Sequence, residues 1–122
     1  MLVITNAFSL NVLRDRAPEK VDAYELAPYL LKMRPLTLDE ARAEVRLAYN
    51  YQGYRSVVGH AQLGPIYSTL LGTPVAVSRE TYAMASDEVI LVGQYTGPRL
   101  EEGTKELPEG AKIEWWLVTR EN

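Results

Sequence analysis

Residues 56–72 read SVVGHAQLGPIYSTLLG, and where strand gives way to helix along this stretch decides the fold. YRSVV, residues 54–58, is short and ends in two β-branched residues, so it reads as a strand stopped at Gly59. QLGPIYSTLL, residues 62–71, reads as a helix. Pro65 belongs in its first turn, where a missing N–H does no harm, and Gly72 stands just past the last turn, where a left-handed cap is favoured. Between strand and helix lies His60, the single histidine of the chain.

Working outward, LVITN (residues 2–6) reads as a buried first strand. VDAYELAPYLLKM (21–33) predicts one or two strands interrupted at Pro28, with Pro35 closing the section. TLDEARAEVRLAYNY (37–51) is helical: Thr37 and Glu40 have capping-box spacing, and Leu38, Ala41, Val45 and Ala48 recur on one face. Its charged residues read as a solvated face. PVAVSRETYAM (74–84) and EVILVGQY (88–95) read as neighbouring strands turning near Ala85 to Asp87, and KIEWWLVTR (112–120) as the last strand. TGPRLEEGTKELPEG (96–110) is a loop. Strands thus surround two helices without strict alternation. The expected fold is a single α/β domain spanning residues 1–122, with a mixed β-sheet of about five or more strands flanked by helices.

Composition narrows the function classes. The chain has 122 residues, of which 47% are hydrophobic and 24% charged, the mixture of a soluble globular domain, and no run of about 18 apolar residues that would span a bilayer. MLVITNAFSLNVL lacks the basic start and small-residue cleavage site of a signal peptide, so a cytoplasmic location is expected, in the host cell if the source is viral. No cysteine and one histidine disfavour a metal site within one subunit. The net charge of −3 argues against sequence-independent binding to a long nucleic acid. A local arginine pocket for a small anion stays open.

His60 falls where a strand passes into a helix N-terminus, where free backbone N–H groups and the helix dipole favour an anion. A satisfied structural histidine is the alternative. Arg79 ends the segment after the helix, and Arg99 opens RLEEG with Glu102 three residues on; taken singly, each fits a surface arginine paired with a glutamate. Trp115 and Trp116, adjacent in a strand, point to opposite faces, so one belongs to the core and the other is available at an interface. The eight tyrosines could stack on bases, but their positions single none out.

Four segments together carry a resemblance: TNAFSLNVL near the N-terminus, VVGH followed by a helix and LLG, SRE, and RLEEG. Arg79 follows His60 by nineteen positions. In order and spacing these segments resemble the viral anti-CRISPR ring nucleases, small proteins of archaeal viruses, phages and some prokaryotic genomes. The match covers residues 2 to about 14 and about 55 to 110. The resemblance implies a cytoplasmic homodimer that cleaves cyclic tetra-adenylate, the second messenger of type III CRISPR systems, to linear di-adenylate with 2′,3′-cyclic phosphate ends, without metal or other cofactor. It implies His60 as general acid, Arg79, Arg99 and Glu102 as further active-site residues, and Asn6, Ser9, Asn11 and Gln94 as ligand contacts. Two departures stand out: one residue is added near Gly97 and Pro98, and Leu63 replaces a threonine often found near the phosphate.

The reaction suits such a chain. The nucleophile is the ribose 2′-hydroxyl, so no protein nucleophile or metal is required, and an imidazole, with an ordinary pKa of about 6.5, can protonate the departing 5′-oxygen. Guanidinium groups can stabilise charge on the non-bridging phosphate oxygens. A non-catalytic protein that sequesters the cyclic nucleotide is the alternative from another class.

Overall fold

The computed structural model of the chain describes residues 1–9, 30–85 and 87–121. Among them lie β1 (Leu2–Thr5), β2 (Leu31–Leu36), α1 (Leu38–Tyr51), β3 (Tyr54–Ser56), α2 (Leu63–Leu71), β4 (Val89–Thr96) and β5 (Lys112–Arg120). The strands form one mixed sheet in the order β2-β5-β4-β1-β3. β1 pairs in parallel with β3 and β4, while β5 runs antiparallel to both β4 and β2. The expected α/β class and mixed sheet are found. The strand or strands expected before Leu30, with Pro28, lie outside the described residues.

β1 is buried at all four positions, as a β-branched strand with neighbours on both sides should be. Its alternation splits the core. Leu2 and Ile4 face α1 and α2, packing with Ala41, Val45, Leu63, Ile66, Tyr67 and Leu71. Val3 faces the other way, with Ile90, Val92 and Val118, beneath Tyr82 and Met84 of an irregular segment. Both helices therefore pack on one face of the sheet.

The helices are held differently. Thr37 and Glu40 form the capping box, with the Thr37 N–H donating to Glu40 Oε1 at 2.9 Å and the Glu40 N–H to Thr37 Oγ1 at 3.1 Å. α2 has no side-chain cap at its start. Burial of Leu63, Ile66 and Leu71, at about 1.5–3 kcal/mol per side chain, outweighs a missing cap of about 1 kcal/mol. Gly72 ends it at φ 70°, the left-handed cap expected.

Two expectations fail. Pro35 does not close the preceding section; it lies inside β2, opposite Trp116. β2 is an edge strand of the sheet as described, so a residue without an N–H is tolerated there. Residues 74–84 are not a strand neighbouring β4 either. Only Val77 bridges, in parallel, to Val58, and the chain then crosses the far face, where Tyr82 and Met84 cover apolar residues that neither α1 nor α2 covers. Arg55 pins this strap through an ion pair with Glu80 and lies 5.6 Å over the Tyr82 ring.

At the sheet centre the Tyr67 hydroxyl donates to the Gly93 carbonyl, and its ring meets Trp115 at 5.1 Å between centroids. Burial pushes the Tyr67 hydroxyl far above its ordinary range, so it stays a donor. A Cβ on Gly93 would lie 2.7 Å from the Trp115 ring and 2.9 Å from that of Tyr67. Gly93→Ala is therefore expected to cost about 1–3 kcal/mol by overpacking, read as a lower urea midpoint.

The backbone N–H of Thr37, then its side chain, lowers the Glu40 pKa below its ordinary 4.5. This contribution to stability is full above 4.5 and is lost as pH falls through the lowered folded value. In urea titrations the wild-type advantage over Glu40→Gln should shrink on acidification, the two stabilities converging at low pH.

Candidate functional site

Because β1, β3 and β4 are parallel, their C-terminal ends lie at one edge of the sheet, where open α/β folds place ligands. Asn6 follows β1, His60 stands four residues beyond β3, and Arg99 three beyond β4. At the end of β1, the Thr5 hydroxyl both donates to the Ala7 carbonyl (3.1 Å) and accepts its N–H (3.4 Å), turning the chain. The Asn6 Oδ1 accepts the Gly59 N–H at 3.0 Å. Beyond β3, Ser78 N donates to Val58 O at 2.8 Å, so Arg79 runs beside Gly59 and His60, and its Nε donates to the Gly59 carbonyl at 3.1 Å.

His60 is exposed. Its Nδ1 accepts the Gln62 N–H at 3.3 Å, which leaves Nε2 as the nitrogen carrying the proton and able to donate to a ligand. The His60 carbonyl accepts from Leu63 (3.1 Å) and Gly64 (3.4 Å), and Pro65 has no N–H. The free N–H groups expected at the start of α2 are thus already engaged. An anion here depends on arginines rather than on the helix terminus.

A cavity of about 760 Å³ brings together His60, Arg99, Asn6 and Gln94. Its apolar wall is made by Phe8, Met33, Val92 and Trp116, on the face of the sheet opposite the helices. Leu63 also lines it, presenting no donor where a threonine would. Arg99 reaches the cavity despite the added residue. Gly97 packs so tightly on the residue before β5 that a Cβ would lie 2.6 Å from that of Ala111, and the Tyr95 hydroxyl donates to the Pro98 carbonyl at 2.5 Å, tying down the turn.

The remaining predicted residues stand apart from this cavity. Arg79 is joined to it through Gly59 without lining it. Glu102 lines a separate depression of about 330 Å³ with Ala61, Gln62 and Lys105, and shares another surface hollow with Arg99. Ser9 is exposed and not part of the wall, and Asn11 lies outside the described residues. Among the described residues no carboxylate lies within 4 Å of His60, Arg79 or Arg99. Nor, among them, do three His, Cys, Asp or Glu side chains form a group that could hold a metal. No helix among them is long and apolar enough to cross a membrane.

Phe8, Met33 and Trp116 were not foreseen as site residues. Strand parity separates Trp116 from Trp115, but alternation alone does not tell a ligand wall from a second core.

The chain belongs to the STIV B116-like family, which matches it over residues 2–115. Among solved structures, it is similar to B116 of Sulfolobus turreted icosahedral virus, with a TM-score of 0.73 over 97% of each chain and 23% sequence identity. That likeness is one of fold, shared with a viral protein. No curated protein matches the chain significantly.

The lone histidine makes its hydrogen bonding directly testable. A long-range ¹H–¹⁵N spectrum at a pH where the ring is neutral should show the Nε2–H tautomer; a dominant Nδ1–H form would contradict the Gln62 contact.

Proposed function

We propose that this protein is a metal-independent ring nuclease that cleaves cyclic tetra-adenylate and so switches off type III CRISPR signalling. The observation that carries the reading is the cavity in which His60 and Arg99 share one space with an aromatic wall. Bases suit Phe8 and Trp116, and phosphates suit the cationic residue. The resemblance to ring nucleases supplies the reaction class.

In the proposed step the substrate's own 2′-oxygen attacks phosphorus, its proton passing to water, and the P–O5′ bond breaks. His60 delivers a proton to the departing 5′-oxygen, leaving a 2′,3′-cyclic phosphate. Loading the ring with its second proton requires the Gln62 amide to release Nδ1. Arg99 balances charge on the non-bridging oxygens. Glu102 shares a surface hollow with Arg99 but lies more than 4 Å from its guanidinium, so in this reading it orients Arg99 only once bound ligand draws the two together, rather than moving protons. A volume of about 760 Å³ suits a small ligand or part of a larger one. In a two-fold homodimer two such sites would meet opposite phosphates of one ring, giving two di-adenylates.

A second reading, a protein that sequesters the ring uncut, is favoured by one observation: Arg79 and Glu102 do not line the cavity beside His60. The test is incubation with cyclic tetra-adenylate in a chelator, followed by chromatography. Wild-type protein should yield di-adenylate, and His60→Ala should lose about 10²-fold or more of the rate while still binding the ring. Cleavage that survives His60→Ala would sink the mechanism, and binding without cleavage by wild type would favour sequestration.

A further inference from the structure

Gly59, the residue immediately before His60, is held through both of its backbone polar groups, which belong to successive peptides. Asn6 Oδ1 holds the Gly59 N–H at 3.0 Å, across 53 positions of sequence, and Arg79 Nε holds the Gly59 carbonyl at 3.1 Å. A Cβ on Gly59 would meet the Arg79 Cγ at 3.9 Å and the Ser78 carbonyl at 4.0 Å, ordinary van der Waals contacts, so no close steric contact locks the residue in place. Glycine is also the residue whose backbone is least restrained by its own sterics. Upstream the Val58 carbonyl accepts the Ser78 N–H at 2.8 Å, and downstream Gln62, Leu63 and Gly64 bond the His60 ring and carbonyl; between these anchors the two side-chain bonds are what hold Gly59.

We infer that Asn6 is a positioning residue that acts through the Gly59 N–H, fixing the imidazole relative to the cavity, with Arg79 as its counterpart on the Gly59 carbonyl. This rests on the proposed ring-nuclease function and assigns Asn6 a task other than ligand contact. Its carbonyl oxygen is engaged with Gly59, and that bond bears on where His60 stands, whatever the side-chain amide donors do at the cavity wall. A displacement of about 1 Å in a reacting group can cost about 10²-fold in rate, so a latch of this kind is felt in kcat rather than in affinity.

The experiment combines amide hydrogen exchange at Gly59, read by NMR without ligand, with cleavage of cyclic tetra-adenylate at saturating concentration. Wild type, Asn6→Ala and Asn6→Asp are compared; aspartate keeps an acceptor for Gly59 but loses the amide donors. Asn6→Ala should speed Gly59 exchange about 10-fold or more and lower kcat by about 10- to 100-fold, with affinity changed by no more than about 3-fold. Asn6→Asp should restore the slow exchange and recover most of the lost kcat, even if the added charge weakens binding. Exchange in Asn6→Ala as slow as in wild type overturns the latch. So does an Asn6→Asp protein whose Gly59 is protected but whose kcat stays as low as that of Asn6→Ala. A wild-type protein that protects Gly59 and never cleaves the ring overturns the ring-nuclease reading instead, and with it the catalytic purpose of the latch.

Discussion

Parallel pairing on both sides of β1 governs where chemistry can occur in this chain. A four-residue strand buried on both faces and bonded to β3 and β4 forces three loops to leave the sheet at one end. Asn6, His60 and Arg99, far apart in sequence, meet for that reason. The side-chain bond from Asn6 to Gly59 is a consequence of the same pairing, because the Val57 N–H already donates to the Ile4 carbonyl at 2.8 Å one step earlier. Strand register thus extends into the loops, and the site is a continuation of the sheet rather than an addition to it.

The two sheet faces divide the remaining work. On one, Tyr67 and Trp115 close over Gly93 and bind both helices to the strands. On the other, away from α1 and α2, the next residue along β5, Trp116, forms part of the cavity wall. A single strand with adjacent tryptophans therefore supplies one ring to the core beneath the helices and one to the cavity wall. The strap held by Arg55 and Glu80 covers only part of the second face, through Tyr82 and Met84. Apolar surface beyond the strap's reach, at Phe8 and Trp116, borders the cavity.

Features encoded locally were legible in the sequence. The Thr37–Glu40 box, the apolar stripe of α1, Pro65 in the first turn of α2 and Gly72 at its end are all set by neighbours within a few residues. Features set by distant partners were not. Residues 74–84 have strand-like composition, but they make a single bridge, Val77 to Val58, and Tyr82 and Met84 turn inward onto the sheet face away from α1 and α2. Pro35 reads as a stop until the strand carrying it is seen at an edge. In the candidate site, His60 stood out by being alone of its kind, whereas Phe8 and Met33 carry no mark distinguishing a ligand wall from core. The engagement of the α2 N–H groups was equally hidden, since it depends on how the His60 carbonyl and ring turn.

The acidic balance of the chain bears on what the cavity can accept. With a net charge of −3, a polyanion gains little from long-range attraction, and screening confines charge effects to about 8 Å at physiological salt. What such a ligand meets is local: Arg99 without a carboxylate within 4 Å among the described residues, and Glu114, which also lines the cavity, neighboured by Lys112 at 3.1 Å. A compact ring seated at that cavity keeps its phosphates near the guanidinium. A long strand would have to run out over a chain of net negative charge, with little general attraction to hold it. Under the proposed function, the chain's net charge then favours a compact ring over a long nucleic acid without any dedicated steric barrier.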